Sequence, residues 1–226
     1  MPSVELSQGS KVTTNNTTTS QIVYVVDDDQ GMLDSLVWLL DSVGIETRPF
    51  TSGQSFLEQC DASINACVLL DIRMPGMGGL NVLEAMRQRQ VQLPVIFISG
   101  HADVPLAVRA FKAGACDFLE KPINEQLLLD SVQQALQSHA AQRQRQQQLA
   151  SIQARLADMT PRESDLLLPL AKGFSNREIA EQLDISVKTV DLYRARVMKK
   201  LAADSLPELV AMVIATGMLD PLAARE

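Results

Sequence analysis

Five polar side chains stand at or just after the ends of short apolar runs in the first half of the chain. Three of them are carboxylates, and neighbouring carboxylates raise one another's pKa unless a cation relieves the repulsion. Magnesium suits one or two carboxylates with water and a phosphate, a lysine carries a mobile charge for phosphate, and a hydroxyl hydrogen-bonds a phosphoryl oxygen. The set could therefore bind a metal and a phosphoryl group while one aspartate attacks as a nucleophile. These residues are Asp27, Asp28, Asp71, Ser99 and Lys121.

The apolar runs alternate with amphipathic stretches between Ile22 and about Gln137, which predicts five strand-helix repeats. Such repeats form a parallel sheet with helices on both faces. Right-handed crossovers favour a doubly wound α/β sheet of order 2-1-3-4-5, in which the first and third strands meet at the topological switch point. Ligands bind there, so this fold would gather Asp27, Asp28 and Asp71 into one cleft. The predicted strands are Ile22–Val26, Glu46–Phe50, Cys67–Leu70, Val95–Ser99 and Cys116–Leu119.

Four motifs in this region resemble the receiver domain of two-component signalling, in order and over roughly half of the chain. The resemblance implies that Asp71 accepts a phosphoryl group from the phosphohistidine of a sensor histidine kinase. It also implies that magnesium is held by Asp27, Asp28, Asp71 and the backbone carbonyl of Arg73. The motifs are Val25–Asp29, Leu69–Gly79, Phe97–His101 and Phe118–Pro122.

The same resemblance implies how phosphorylation is sensed. Lys121 would pair with the phosphate, Ser99 would swing toward it, and Phe118 would turn inward as an aromatic switch. Ser99 replaces the commoner Thr and keeps the hydroxyl, whereas Phe118 has no hydroxyl to reposition, unlike the Tyr of some relatives.

The remaining chain divides by composition. Residues 1–20 are rich in Thr, Asn and Ser and predict a disordered tail before the receiver at 21–137. Residues 138–156 are rich in Gln and Ala without Gly or Pro, which indicates a helical linker. Leu149, Ile152 and Leu156 could form a coiled-coil seam or contact the next domain. Residues 157–220 contain only helical patterns, and their helix starts are marked by capping boxes at Thr160, Ser175 and Ser205.

Two helices within 157–220 have the pattern of a helix-turn-helix. Asn176–Leu183 is short, Asp184–Ser186 makes the turn, and Val187–Leu201 carries five basic residues and one acidic residue. A small helical bundle with a basic surface is the alternative from pattern alone. The region resembles the LuxR-type DNA-binding domain of the FixJ/NarL response regulators, although Asp184 stands where that family usually has Gly. That substitution requires strain or the tolerance of Asp for left-handed backbone.

The resemblance assigns DNA contacts along the second helix. Asp191, Leu192 and Ala195 would face base edges, with Asp191 accepting from cytosine N4. The residues that would bind phosphates and set the register are Lys188, Thr189, Arg194, Lys199 and Lys200. One such helix reads few base pairs, so binding to paired half-sites implies a homodimer. Leu209, Met212, Val213 and Leu219 offer one possible dimer face, and Val104–Ala113 with Cys116–Leu119 resemble the surface through which FixJ-like receivers pair.

Composition limits the other functions. The net charge is −7, but Gln21–Asp130 holds 15 acidic and 7 basic residues, so the acidity belongs mainly to the receiver. No secretion signal or membrane span is evident and the three cysteines lack metal-like spacing, which favours the cytoplasm. An aspartyl-phosphate phosphatase would require an acid two residues after Asp71, where Arg73 stands. The sequence thus predicts no enzyme but a phosphorylation-controlled transcription regulator, or alternatively a DNA-binding protein whose receiver no longer switches.

Overall fold

The computed structural model describes residues 21–100 and 103–220, and its chain divides into two compact units, Met1–Ala140 and Ala141–Glu226. The predicted tail at 1–20 lies outside the described residues. The first unit alternates strands and helices. Its elements are β1 (Gln21–Val26), α1 (Gln30–Ser42), β2 (Glu46–Phe50), α2 (Gly53–Gln59), β3 (Asn65–Asp71), α3 (Gly79–Gln88), β4 (Val95–Ser99), α4 (Val104–Lys112), β5 (Asp117–Glu120) and the first part of α5 (Glu125–Ala157).

The five strands form one parallel sheet in the order β2-β1-β3-β4-β5, which confirms the predicted topology. The inner strands β1, β3 and β4 are almost entirely buried, because helices cover both faces of the sheet. β2 is an edge strand and carries Pro49, which an edge tolerates because it leaves one side of the ladder unpaired. Two apolar clusters occupy the two faces, one around Phe56 and Phe97 and the other around Leu40 and Leu128.

α5 continues without a break from Glu125 to Ala157 and includes the segment predicted as a helical linker. In the second unit, Leu156 packs against the core formed by the helices of residues 157–220, which favours the predicted contact with that region for this residue. Arg155 donates from Nη1 to the carbonyl oxygen of Leu201 at 2.6 Å. The other helices of this unit are α6 (Pro161–Ala171), α7 (Asn176–Leu183), α8 (Val187–Leu201) and α9 (Leu206–Ala215).

The helix ends in the second unit follow the predicted local signals with one difference. Thr160 and Ser175 begin α6 and α7 with complete capping boxes. Ser205 caps α9, but the Glu208 carboxylate accepts from the backbone N–H of Asp204 at 2.8 Å instead of closing the box on Ser205.

The proposed dimer face on α9 is wrong. Leu209, Val213 and Leu219 are buried in the core of their own unit, and Met212 is packed against that core. The apolar residues of α9 therefore form part of the core of a single chain. Their helical spacing could not show this, because an amphipathic stripe can face either a core or an interface.

Candidate functional site

An ammonium group joins two buried carboxylates at the carboxyl edge of the sheet. Lys121 Nζ donates to Asp27 Oδ2 at 2.7 Å and to Asp71 Oδ1 at 2.8 Å. Asp27 and Asp71 are only 2% and 6% exposed, whereas their loops open to solvent nearby. Charge-assisted hydrogen bonds of this length in a partly desolvated site hold all three side chains in one arrangement.

The sheet register explains why residues far apart in sequence meet here. Val26 of β1 is paired with Leu70 of β3, so Asp27 and Asp71 follow side by side. Lys121 comes directly after β5, and its backbone N–H donates to the Ser99 carbonyl at the end of β4. A parallel sheet aligns the carboxyl ends of its strands, and the site lies at the switch point as predicted.

Local backbone donors occupy the remaining carboxylate oxygens. Asp71 Oδ2 accepts from the N–H of Arg73 at 2.6 Å, and Asp27 Oδ1 accepts from the N–H of Asp29 at 2.9 Å. Each buried carboxylate is therefore bonded at both oxygens, as buried charges require.

The pKa values in this site reflect competition between burial and charge. Burial raises the pKa of Asp71 above its ordinary value, although the hydrogen bonds and charge of Lys121 act in the opposite direction. Burial alone lowers the pKa of Lys121, but its two carboxylate partners outweigh that effect and raise it. Lys121 therefore stays a cation at neutral pH and places a positive charge beside Asp71.

The three consecutive aspartates after β1 have different roles. Asp27 points into the site, whereas Asp28 is exposed and Asp29 accepts from the N–H groups of Gly31 and Met32 to cap α1. The structure thus joins Asp27 and Asp71 through Lys121 and leaves the side chain of Asp28 exposed. In residues 21–100 and 103–220, no three His, Cys, Asp or Glu side chains are arranged as a metal site. The donors nevertheless fit magnesium, which prefers carboxylate and carbonyl oxygens and keeps several waters.

The two predicted switch residues lie beside the site. Ser99 is 1% exposed at the end of β4, next to Glu120 in the strand register. Phe118 is partly buried and packs against the cluster that includes Phe97, its neighbour across the β4-β5 pair.

The second unit contains the predicted reading helix. Val190, Val197 and Leu201 of α8 are buried, and the opposite side of the helix carries the residues assigned to DNA. Of these, Lys188, Asp191, Leu192, Ala195 and Lys199 are exposed, while Thr189, Arg194 and Lys200 are partly buried. Leu192 exposes 51% of its surface, so its side chain is accessible to a partner. Asp184 has φ 52° and ψ 51°, so the turn uses the left-handed tolerance of Asp.

Lys200 is engaged within its own unit. Its Nζ donates to Glu163 Oε2 at 2.9 Å and to the carbonyl oxygen of Asp158 at 2.8 Å. The hydrogen bond from Lys200, assisted by the N–H of Thr160, lowers the pKa of Glu163 to about 2. Lys200 thus stabilises the domain core through these two bonds, and its contact with a phosphate stays a prediction.

Sequence reasoning missed Asn176, the first residue of α7. Its Nδ2 donates to Asp191 Oδ1, and its Oδ1 accepts from Arg194 Nη1 at 3.2 Å. No local signal indicates this role, because an Asn at a helix start is ordinary. Only the packing of α7 against α8 brings the amide between the two side chains.

The fold and the pocket define a receiver domain joined to a helix-turn-helix unit. Residues 23–133 match the response regulator receiver domain model, and residues 157–213 match the model of bacterial regulatory proteins of the luxR family. The chain belongs to the two-component response regulators with a LuxR-type DNA-binding domain, and neither matched family is enzymatic.

Relatives of the whole chain agree with this assignment. The transcriptional regulatory protein FixJ of Bradyrhizobium diazoefficiens is 41% identical over 90% of this chain and 99% of its own length. The tetrathionate response regulatory protein TtrR of Salmonella typhimurium is 41% identical over 83% of this chain and 89% of its own. A low-resolution structure of the response regulator StyR is similar with a TM-score of 0.79 and 38% identity, covering 86% of this chain and 98% of that one. In the described part of the chain, no helix has the length and apolar character that a membrane span needs.

Proposed function

We propose that the chain is a transcription regulator whose DNA binding is controlled by phosphorylation of Asp71. The observation that carries the proposal is the bridge from Lys121 Nζ to Asp27 and Asp71. It supports a nucleophilic carboxylate held beside a fixed cation, which is the arrangement that phosphoryl transfer requires.

In the proposed step, Asp71 Oδ1 attacks the phosphorus of a phosphohistidine on a sensor kinase. The new O–P bond forms as the P–N bond breaks, and the electron pair stays on the imidazole, which takes up a proton. Lys121 must move from Oδ1 to a phosphoryl oxygen, while the Arg73 N–H keeps its bond to Oδ2 and holds the carboxylate in place. The carboxylate thus keeps its orientation toward the phosphorus while Lys121 changes partner.

Asp27, Asp28, Asp71 and the backbone carbonyl of Arg73 would hold magnesium. When bound, magnesium would offset the charge of the phosphoryl oxygens. Ser99 would then hydrogen-bond a phosphoryl oxygen and Phe118 would turn inward, so that the state of Asp71 reaches the neighbouring surface of α4 and β5.

That surface supports the proposed homodimer. Val104, Val108 and Phe111 of α4 are 78%, 44% and 50% exposed, although all three are apolar. Pairing of receivers through such a patch would raise the effective concentration of two DNA-binding units on paired half-sites. Because its target is DNA, we place the protein in the cytoplasm.

The proposed DNA contacts follow the exposed side of α8. Asp191, Leu192 and Ala195 would meet base edges in the major groove. Lys188, Thr189, Arg194 and Lys199 would bind phosphates and fix the register.

The test is labelling with a radioactive phosphoramidate with and without magnesium, followed by DNA binding of the same samples. We expect magnesium-dependent incorporation in the wild type and in Asp41→Asn, an exposed aspartate on α1, but none in Asp71→Asn. Phosphorylation should also raise the affinity for a selected duplex by about tenfold or more. Absent labelling overturns the proposal. Labelling with unchanged DNA affinity would instead favour a DNA-binding protein whose receiver does not switch.

A further inference from the structure

A single amide connects two side chains that we assign to DNA. Asn176 lies at the start of α7, and its side chain spans Asp191 and Arg194, which are three residues apart on the outer side of α8. The amide donates to the carboxylate and accepts from the guanidinium, so only one of its two orientations satisfies both neighbours. The reverse orientation would place the amide oxygen against the Asp191 carboxylate.

The amide also stands where a direct ion pair would otherwise form. Oppositely charged side chains three residues apart on a helix are within reach of each other. In the described part of the chain, however, Asp191 and Arg194 make no ion pair, and each contacts Asn176 instead. Asn176 therefore keeps the two charges apart while holding both in defined positions.

The separation leaves binding capacity on both sides. Only Oδ1 of Asp191 accepts from Asn176, so Oδ2 remains available to accept the amino group of a cytosine. Arg194 uses one N–H of Nη1, which leaves further guanidinium donors for a phosphate. A direct bidentate pair between the two residues would instead occupy both oxygens of Asp191 and two guanidinium N–H groups of Arg194.

We propose that Asn176 is a positioning residue for DNA specificity that acts through Asp191 and Arg194, and this inference rests on the DNA contacts proposed above. Without the amide, Asp191 and Arg194 pair with each other. Discrimination then falls at the base pair that Asp191 reads, and one phosphate contact per protomer weakens. Base pairs read through Leu192 and Ala195 keep their discrimination.

The experiment uses the full chain, phosphorylated with phosphoramidate, and a duplex selected from a library of about 30 randomised base pairs, enough for two half-sites. Dissociation constants are measured for that duplex and each of its single base-pair variants at several salt concentrations. The proteins are the wild type, Asn176→Ala, Asn176→Asp, Asp191→Ala and the double variant Asn176→Ala/Asp191→Ala. Gln182→Ala, which removes an exposed amide from the same helix, is the matched control.

We expect Asn176→Ala and Asp191→Ala to lose about tenfold discrimination at the same base pair, and the double variant to lose no more than Asp191→Ala. Asn176→Asp should lose it as well, because a carboxylate cannot donate to Asp191. For Asn176→Ala, the slope of log Kd against log salt concentration should decrease by about one per protomer, as expected when a phosphate contact is lost. Gln182→Ala should match the wild type in every measurement.

Two results would overturn the inference in distinguishable ways. If Asp191→Ala loses discrimination at one base pair but Asn176→Ala and Asn176→Asp weaken all duplexes equally, the amide has only a structural role and the DNA contacts stand. If Asp191→Ala keeps wild-type discrimination at every base pair, the assignment of Asp191 to a base fails, and this inference fails with it. Thermal unfolding of each variant shows whether a uniform loss comes from misfolding.

Discussion

The Cα atom of Gly79, at the start of α3, lies so close to the carbonyl oxygen of Asp71 that a methyl group there would overlap it. The same methyl group would lie 3.0 Å from Cε1 of Phe97. Both neighbours are buried parts of the sheet and cannot move away easily. Gly79 therefore sets how closely α3 approaches the strand that ends in Asp71.

We predict that Gly79→Ala slows phosphorylation of Asp71 and destabilises the first unit by about 1–3 kcal/mol, the usual cost of overpacking. The substitution must push α3 or the end of β3 aside and so shift the Asp71 carboxylate relative to Lys121. Labelling rates and calorimetric unfolding measure the two effects. Gly100→Ala is the control, since a methyl group there meets nothing within 4 Å. Normal labelling of Gly79→Ala would show that the site tolerates this displacement.

A second prediction concerns the bridge at the nucleophile. Lys121→Met leaves two buried carboxylates without their shared cation, so we expect a loss of about 2–3 kcal/mol in the free energy of unfolding of the first unit. Magnesium should raise the Tm of this variant more than that of the wild type, because the ion no longer competes with the ammonium group.

The measurement for Lys121→Met is calorimetry over a series of magnesium chloride concentrations. Lys112→Met, an exposed lysine at the end of α4, is the control and should respond like the wild type. Adding Asp27→Asn to Lys121→Met should restore part of the lost free energy of unfolding, because it removes one of the two buried carboxylates that no longer have a cation. A Tm of Lys121→Met that magnesium leaves unchanged would contradict metal binding by these carboxylates.

A third prediction follows from Glu163 in the second unit. Its pKa in the folded state is about 2, below the ordinary value of 4.5, chiefly because Lys200 hydrogen-bonds to it. A group whose pKa is lowered by folding stabilises the fold above its ordinary pKa, and this contribution is lost as the pH falls toward the folded value. We therefore expect Glu163→Gln to flatten the fall in stability of this unit between about pH 4.5 and pH 2.

Urea unfolding at several pH values, monitored through the NMR amide signals of α8, would measure how the free energy of unfolding changes with pH. Glu178→Gln is a matched control, because Glu178 closes a similar capping box on Ser175 without a lysine partner. Equal slopes for Glu163→Gln and the wild type would show that the Lys200 contact does not couple to folding.

A fourth prediction concerns two helix ends with left-handed backbone. Asp184 and Ala202 both have φ 52°, and Ala has no polar side chain that favours this conformation. We expect Ala202→Gly to stabilise the second unit by about 0.5–1 kcal/mol, since the relief of strain is partly offset by the greater entropy of unfolded Gly. Asp184→Gly should stabilise it by less, because Asp already tolerates left-handed backbone. Thermal unfolding ranks the variants. Destabilisation by Ala202→Gly would show that the end of α8 is not strained.

The sequence by itself determined what depends on near neighbours in the chain. The alternation of apolar runs and helical stretches indicated five parallel strands, and the right-handed crossover favoured a doubly wound order. The caps at Thr160, Ser175 and Ser205 specified where three helices begin, because each cap bonds to a residue three positions on. The motifs around Asp71 and α8 indicated the family, because a motif is also a pattern of near neighbours in the chain.

Only the tertiary structure decided which side chains share a partner. Lys121 reaches Asp27 and Asp71 across 94 and 50 residues of sequence, and Asn176 reaches Asp191 across 15. Lys200 binds Glu163 within its own unit, and Leu209 and Val213 lie in a core where the sequence offered a possible interface. A residue type states what a side chain can bond or bury, but the packing of separate elements determines the partner that lies within reach.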